Sequence, residues 1–343
     1  MTIYSLLEWP HAYGGPSGTG NIKTVPDDFI VEEILPFAPD GSGEHVFLHI
    51  EKIGENTEYV ARQLARHAGV RQHNVGFAGL KDRHGRTRQW FSVWLPGKED
   101  PDWSALESEN LKILAVSRHA RKLKRGVLAG NRFDLLVRNW QGNREIAERQ
   151  LLAIKTHGFP NYFGEQRFGH QGRNIEKALA MFQGIRVKRE QRSIYLSAAR
   201  SYLFNLMLAE RVRTQTWNKA LPGDVLQLDG SHSRFRADEI DTALINRLET
   251  GDLHPTGALW GKGDRGVAGD ALDLERSIID AHPELAEGLL KSGLEADRRA
   301  LRIKPENLRW QIEGDATLRL SFGLPAGSYA TALLREIITT NED

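Results

Sequence analysis

The order in which secondary-structure signals run along this chain restricts its fold more than any single motif does. Strand signals fill the first part, helical signals fill the middle, and strand signals return at the end. Residues 29–34 (FIVEEI), 46–50 (VFLHI), 89–95 (QWFSVWL), 111–116 and 133–137 (FDLLV) are rich in β-formers, alternating or continuously apolar. A helix is predicted over 57–67, with Asn56 or Thr57 as cap and Gly69 beyond its end. Another is predicted over 144–156, where Ala147, Leu151 and Ile154 share one face. From 158 to about 301 the readable elements are mainly helical: 174–182, 197–212, 238–248, 272–281 and 284–292. Glycine-rich stretches at 223–230 and 261–269 separate some of them, with short strands nearby. Strands return over 308–312 and 317–322, followed by a helix over 329–338 capped by Ser328. Two lone strands at a chain end need an existing sheet to join. The expectation is one sheet completed by both ends of the chain, with the middle inserted as a separate domain.

A chain of 343 residues has room for that arrangement, and 40% hydrophobic with 27% charged residues is a globular composition. No apolar run approaches the roughly 18 residues of a membrane-spanning helix. The start, MTIYSLLEWP, lacks the basic-then-apolar pattern of a secretory signal, so a cytoplasmic location and no membrane partner are expected. With no Cys, disulfides, thiolate metal sites and cysteine nucleophiles are excluded. The twelve His are scattered without ligand spacing, and no metal is expected. A GxxxxGK loop, an HExxH pair and a GxSxG elbow are all missing; 14–20 (GGPSGTG) lacks both the Lys and a following helix.

The net charge of +1 does not announce a nucleic-acid partner, but the distribution of charge is informative. Residues 81–88 (KDRHGRTR), 118–125 (RHARKLKR), 186–192 (RVKREQR) and 298–304 (RRALRIK) are basic stretches that suit a phosphate backbone, or else a solvated surface.

Residues 76–93 (GFAGLKDRHGRTRQWFSV) read as strand, polar loop, strand, with Asp82 at the heart of the loop. Between Lys81 and Arg83 its carboxylate sits in a positive field that keeps it ionised and available as a nucleophile. The plainer alternative is a turn Asp, with Gly85 supplying a positive φ. Asn131, in GNRF at 130–133, has both an amide donor and an acceptor, suited to the Watson–Crick edge of a pyrimidine or to a turn. Phe29, Phe133 and Tyr329 are candidates for stacking on an extruded base, although an aromatic residue serves equally as core. Residues 161–169 (NYFGEQRFG) combine aromatics, amides and an Arg with two glycines, fitting an RNA-holding loop or a tight junction. Residues 197–205 (SAARSYLFN) read as a helix using small residues for close packing.

Segment 77–82 (FAGLKD) resembles the active-site motif of the TruD family of tRNA pseudouridine synthases. Further segments resemble that family in family order: 26–33 (PDDFIVEE), 130–133 (GNRF), 160–169 (PNYFGEQRFG), 196–201 (LSAARS) and 324–331 (LPAGSYAT). The resemblance runs from about residue 18 to the end of the chain. It implies an α+β fold: a catalytic domain with a mixed, mainly antiparallel sheet and helices over 1–157 and 304–343, and an inserted α/β domain over 158–303. The reaction it implies converts uridine-13 of tRNA to pseudouridine. By position, Asp82 is the implied nucleophile, and Phe29, Asn131 and Tyr329 the implied substrate contacts. Lys23 and Phe133 belong to the same pocket. The family is associated with Phe where this chain has Tyr329, whose hydroxyl preserves stacking and adds a hydrogen bond.

Such an isomerisation cuts N1–C1′, turns the uracil and joins C5 to C1′ without change of oxidation state, so no cofactor is expected. Asp82 attacks either C1′ or C6; both routes stay open. Lys81, Arg83, Arg121, Lys122, Lys124, Arg125, Lys188 and Arg189 are the expected contacts to tRNA phosphates. Action on another RNA, or RNA binding without chemistry, are the alternatives.

Overall fold

A computed structural model describes residues 8–314 and 316–340. Most of the chain start read for a secretory signal, residues 1–7, lies outside the described residues, as do 315 and 341–343. The chain forms two compact units. One holds Gly18–Arg144, Pro305–Gly327 and the described residues from Thr339 onward; the other holds those up to Ser17, Glu145–Lys304 and Ser328–Ile338.

The first unit opens with β1 (Gly18–Asn21), β2 (Phe29–Ile34) and β3 (His45–Ile53). Helix α1 (Thr57–His67) and strands β4 (Val75–Phe77), β5 (Arg86–Trp94), β6 (Leu111–His119) and β7 (Gly130–Gly142) follow. Along β2, Phe29, Val31 and Glu33 are buried in strict alternation, as a strand with one face on the core requires. Helix α1 lays Val60, Ala61 and Leu64 against Val46, Leu48 and Ile50 of β3 and Phe91 and Val93 of β5. Burying each such aliphatic or aromatic side chain contributes roughly 1.5–3 kcal/mol.

The second unit takes in α2 (Arg144–His157) from Glu145 on, β8 (Phe159–Pro160), α3 (Arg173–Phe182) and α4 (Arg189–Arg213). It continues through β9 (Asp224–Leu228), β10 (Arg234–Ala237), α5 (Thr242–Thr250) and β11 (Leu253–Leu259). Helices α6 (Gly269–Ala281) and α7 (Pro283–Lys291) and strands β12 (Asp297–Ala300) and β13 (Arg302–Ile303) complete this stretch. Its four-stranded sheet has the order β10-β9-β11-β12, and β8 pairs β13. The sequence hinted at these strands only as short elements near glycines.

The chain then returns to the first unit with β14 (Glu306–Glu313) and β15 (Thr317–Pro325). β15 pairs antiparallel with β7 from Thr317↔Arg138 to Pro325↔Gly130, and β14 pairs with β15. The late strands thus join the early sheet, in the order β14-β15-β7-β2-β5-β3-β6, with β1 on β7 and β4 on β5. The sheet is mainly antiparallel; β2 and β5 run parallel. The fold is α+β.

Several boundaries differ from the sequence expectation, most clearly at three helices. Helix α4 begins at Arg189, because the charged and apolar residues 189–196 propagate a helix as well as those that follow. Helix α5 begins after Asp241, whose side chain accepts from the Leu244 N–H and stops the helix extending backward. The expected final helix shrinks to α8 (Ala330–Leu334), and its N-cap is Tyr329 in extended backbone, not Ser328. Ile338–Thr340 forms a strand, β16, paired with β1, where β-branched residues are better placed.

Candidate active site

Parallel pairing sets Ile30 of β2 beside Arg86 of β5, so the connection from β4 to β5 arrives next to Phe29. Gly85, just before β5, is required there for space. A Cβ on it would stand 2.5 Å from the Phe29 carbonyl oxygen, while its φ is not positive, contrary to the turn expectation. Beneath the connection lie buried polar side chains that hold its backbone. Thr57 Oγ1 accepts from the Lys81 N–H at 3.0 Å and donates to Gln89 Oε1 at 2.8 Å. Gln89 Nε2 donates to the Gly79 carbonyl at 3.3 Å, and Lys52 Nζ donates to the Asp82 carbonyl at 3.1 Å. A loop residue tied at this many points is pre-positioned for chemistry.

The Asp82 carboxylate bonds Lys23 Nζ through Oδ2 and accepts from the His84 N–H through Oδ1 at 3.0 Å. Burial pushes its pKa up, but the Lys23 hydrogen bond and the His84 N–H outweigh it and hold the carboxyl below its ordinary value. The sequence expectation credited the flanking cations. Instead, Lys81 is turned inward onto buried Glu33, 2.7 Å from its Oε2, and Arg83 Nε donates to the Gly54 carbonyl at 3.0 Å. The contacting cation comes from far along the chain. Lys23 adopts a positive φ of 60°, and its Nζ lies 4.2 Å from the centre of the Phe29 ring.

Strand register assembles the rest. Phe29 pairs Leu135, Val31 pairs Phe133, and Glu33 pairs Asn131, so Phe133 and Asn131 share a face of the sheet. The Phe29 and Phe133 rings meet edge to face at 6.4 Å, and both residues are buried. Asn131 Oδ1 is a buried acceptor with no hydrogen-bond partner among the described residues. Asp82, Lys23, Phe29 and Phe133 are linked through these contacts, and Asn131 lies in the same unit on the sheet face of Phe133.

Tyr329 belongs to the other unit. There its hydroxyl accepts from Arg167 Nη2 at 2.6 Å, while Arg167 Nη1 donates to Ser197 Oγ at 2.9 Å. Its ring meets Phe163 edge-on at 6.1 Å. Gly164 of NYFG lies alongside the ring: a Cβ there would stand 3.5 Å from it, an ordinary contact.

Of the basic residues, Arg121, Lys124 and Arg125 are exposed on the connection between β6 and β7. Lys122 bonds the His73 carbonyl, and the Arg125 guanidinium lies 4.1 Å from the Phe77 ring centre. A groove lined by Glu58, His73, Phe77, Lys122, Lys124 and Arg125 results. Lys188 and Arg189 are exposed at the N-terminus of α4, in the other unit. Sequence reasoning missed Lys52, Thr57 and Gln89; the usable signal was a lysine late in a strand rich in β-formers.

The profile of the family described as "tRNA pseudouridine synthase D (TruD)" matches residues 11–184 and 170–337. A tRNA pseudouridine synthase D from Methylococcus capsulatus is 50% identical over 331 residues, covering 96% of this chain and 94% of the relative. One from Hydrogenovibrio crunogenus is 47% identical over 335 residues, covering 97% and 96%. A crystal structure from Methanosarcina mazei, described as a TruD-type chain, superposes with a TM-score of 0.73 at 21% identity. It covers 96% of this chain and 98% of its own. At that identity it speaks for the fold alone.

Proposed function

Since the chain belongs to the TruD family of tRNA pseudouridine synthases, we propose that it isomerises uridine-13 of tRNA to pseudouridine, with Asp82 as nucleophile. The observation that carries this reading is an ionised, partly buried carboxylate on a loop tied at several backbone points and bonded to a lysine that lies over the Phe29 ring. Uridine inside a helix presents neither reacting atom, so the target leaves the stack. Phe29 and Phe133 offer apolar ring surface, and Tyr329, in the other unit, is assigned to stacking on the strength of the family resemblance alone. The unpartnered Asn131 Oδ1 suits the N3–H of uracil, which would hold the freed base while it turns.

Asp82 attacks C1′ or C6; either way the carboxylate must be charged, and Lys23 keeps it so. The bonds made and broken conserve oxidation state, so the reaction requires no redox cofactor. We assign the chemistry to a catalytic domain over 1–157 and 304–343, and a supporting role to an inserted domain over 158–303. Exposed Arg121, Lys124 and Arg125, with Lys188 and Arg189 at the start of α4, are the cations we assign to tRNA phosphates. With tRNA as substrate, the cytoplasm is its assigned working place.

Incubating the protein with unmodified tRNA transcripts and mapping pseudouridine by carbodiimide primer extension tests the assignment. A stop at uridine-13 is expected with the parent and none with Asp82→Asn, which still binds tRNA. Product from Asp82→Asn would remove Asp82 from the mechanism.

A further inference from the structure

We infer that Lys52 is a positioning residue for Asp82, a buried cation that fixes the nucleophile's backbone from beneath the sheet face. The inference rests on the reading of Asp82 as nucleophile. Lys52 lies in β3 and is fully buried, at 0% exposure. Its Nζ donates to the Glu55 carbonyl at 2.7 Å and to the Asp82 carbonyl at 3.1 Å. No carboxylate of the described residues pairs with it directly, so the charge is held by two backbone carbonyls and by the nearby field.

Sealing an ammonium in the interior is costly, and a Met or Leu of similar volume would fill the same core space without that cost. What only a charged donor supplies here is a strong hydrogen bond to the main chain of Asp82 and a positive potential under its carboxylate. Lys23, after β1, grips the side chain, and Lys52, in β3, grips the backbone. Burial lowers the Lys52 pKa to about 8, against Asp82 and Glu55, which raise it, and with Lys81, which lowers it further. The neutral form therefore gains population as pH rises through that value, and the grip weakens with it.

Lys52→Met and Lys52→Arg, in the full chain, test this with tRNA transcripts tritiated at uracil C5, which release tritium on isomerisation. For Lys52→Met, kcat should fall about tenfold to hundredfold with KM for tRNA within about twofold, since Lys52 is off the RNA-facing surface. The parent's rate should decline as pH passes about 8, and Lys52→Arg, which stays charged, should lose that decline. A Lys52→Met rate equal to the parent's, or a Lys52→Arg profile with the parental decline, overturns the inference. Should Lys52→Met fail to fold, the Lys52→Arg profile decides alone. Should neither fold, a parental rate that stays flat through about pH 9.5 overturns it, and a decline near pH 8 supports it. A parent that makes no pseudouridine, or an Asp82→Asn that does, refutes the reading of the site instead.

Discussion

Asp82 in one unit and Asp224 in the other each accept from a cation, and the two pairs are built differently. Asp224 is sealed: its side chain is 1% exposed and that of Arg211 3%. Arg211 grips both its oxygens, at 3.0 and 2.9 Å, and also donates to the carbonyls of Thr216 and Lys219. The Leu221 N–H fills a further acceptor site on Asp224 at 2.7 Å. Asp82 and Lys23 keep 23% and 21% of their side chains exposed, and one oxygen each goes to Lys23 and to the His84 N–H. A saturated buried pair is a fixed structural joint. A partly open carboxylate with a single side-chain partner can still be approached by another reacting atom. Geometry around the charge, more than burial of the charge, separates the two roles.

The largest expected effect sets the two aspartates against each other. Asp82→Asn should lower turnover by roughly 10⁴-fold while leaving the thermal midpoint close to the parent's. Asp224→Asn should do the reverse. It leaves a buried guanidinium without its charge partner, at a cost of about 3–5 kcal/mol, read as a lower urea midpoint, while the folded protein keeps its kcat. A folded Asp224→Asn protein that is catalytically dead, or an Asp82→Asn that unfolds, would erase the distinction.

Next in size is Lys23→Met. Asp82 has a depressed folded pKa, so its ionised form contributes stability above the ordinary carboxylate value, lost as pH falls through the depressed one. Removing Lys23 leaves burial opposed mainly by the His84 N–H, so the carboxyl pKa rises. At neutral pH the rate should fall about tenfold to hundredfold, and the acid limb of the kcat profile should move toward neutrality. An acid limb that does not move would mean another group sets the charge.

Much of this was legible in the sequence because local signals agreed with tertiary demand. β2 alternates Phe29, Val31 and Glu33 inward, and Asn56 sits where α1 needs its cap residue, so period and punctuation pointed to the observed elements. The joining of β14 and β15 to β7 followed from the inability of lone strands to stand. What escaped is long-range. Nothing in the neighbourhood of Asp82 says that Lys23 will be its partner, because that contact depends on how β1 and β2 are registered on β7 and β5. Lys81 read as a free cation because its sequence neighbours are charged, and Glu33, its partner, is brought to it by strand pairing. The end of the final helix was misread in a related way: Ile338, taken as its last residue, belongs to β16, which pairs with β1.

The smallest expected effect concerns Tyr329, and it sharpens the contrast between a charged contact that sets reactivity and a neutral one that sets orientation. Its hydroxyl accepts from Arg167, which is only partly buried and retains Ser197 as a partner. Tyr329→Phe therefore deletes one hydrogen bond, worth about 0.5–1.5 kcal/mol, from a guanidinium that water can reach, and keeps the ring against Phe163 and Gly164. The rate with tRNA should fall by about twofold to tenfold, whereas Tyr329→Ala, which deletes the ring, should lose considerably more. If Phe proves as damaging as Ala, the hydroxyl acts on the substrate itself, and orientation by Arg167 is the wrong account of this residue. If Arg167→Lys reproduces the small loss of Tyr329→Phe, and the double variant adds nothing further, the two side chains act as one tether on the ring.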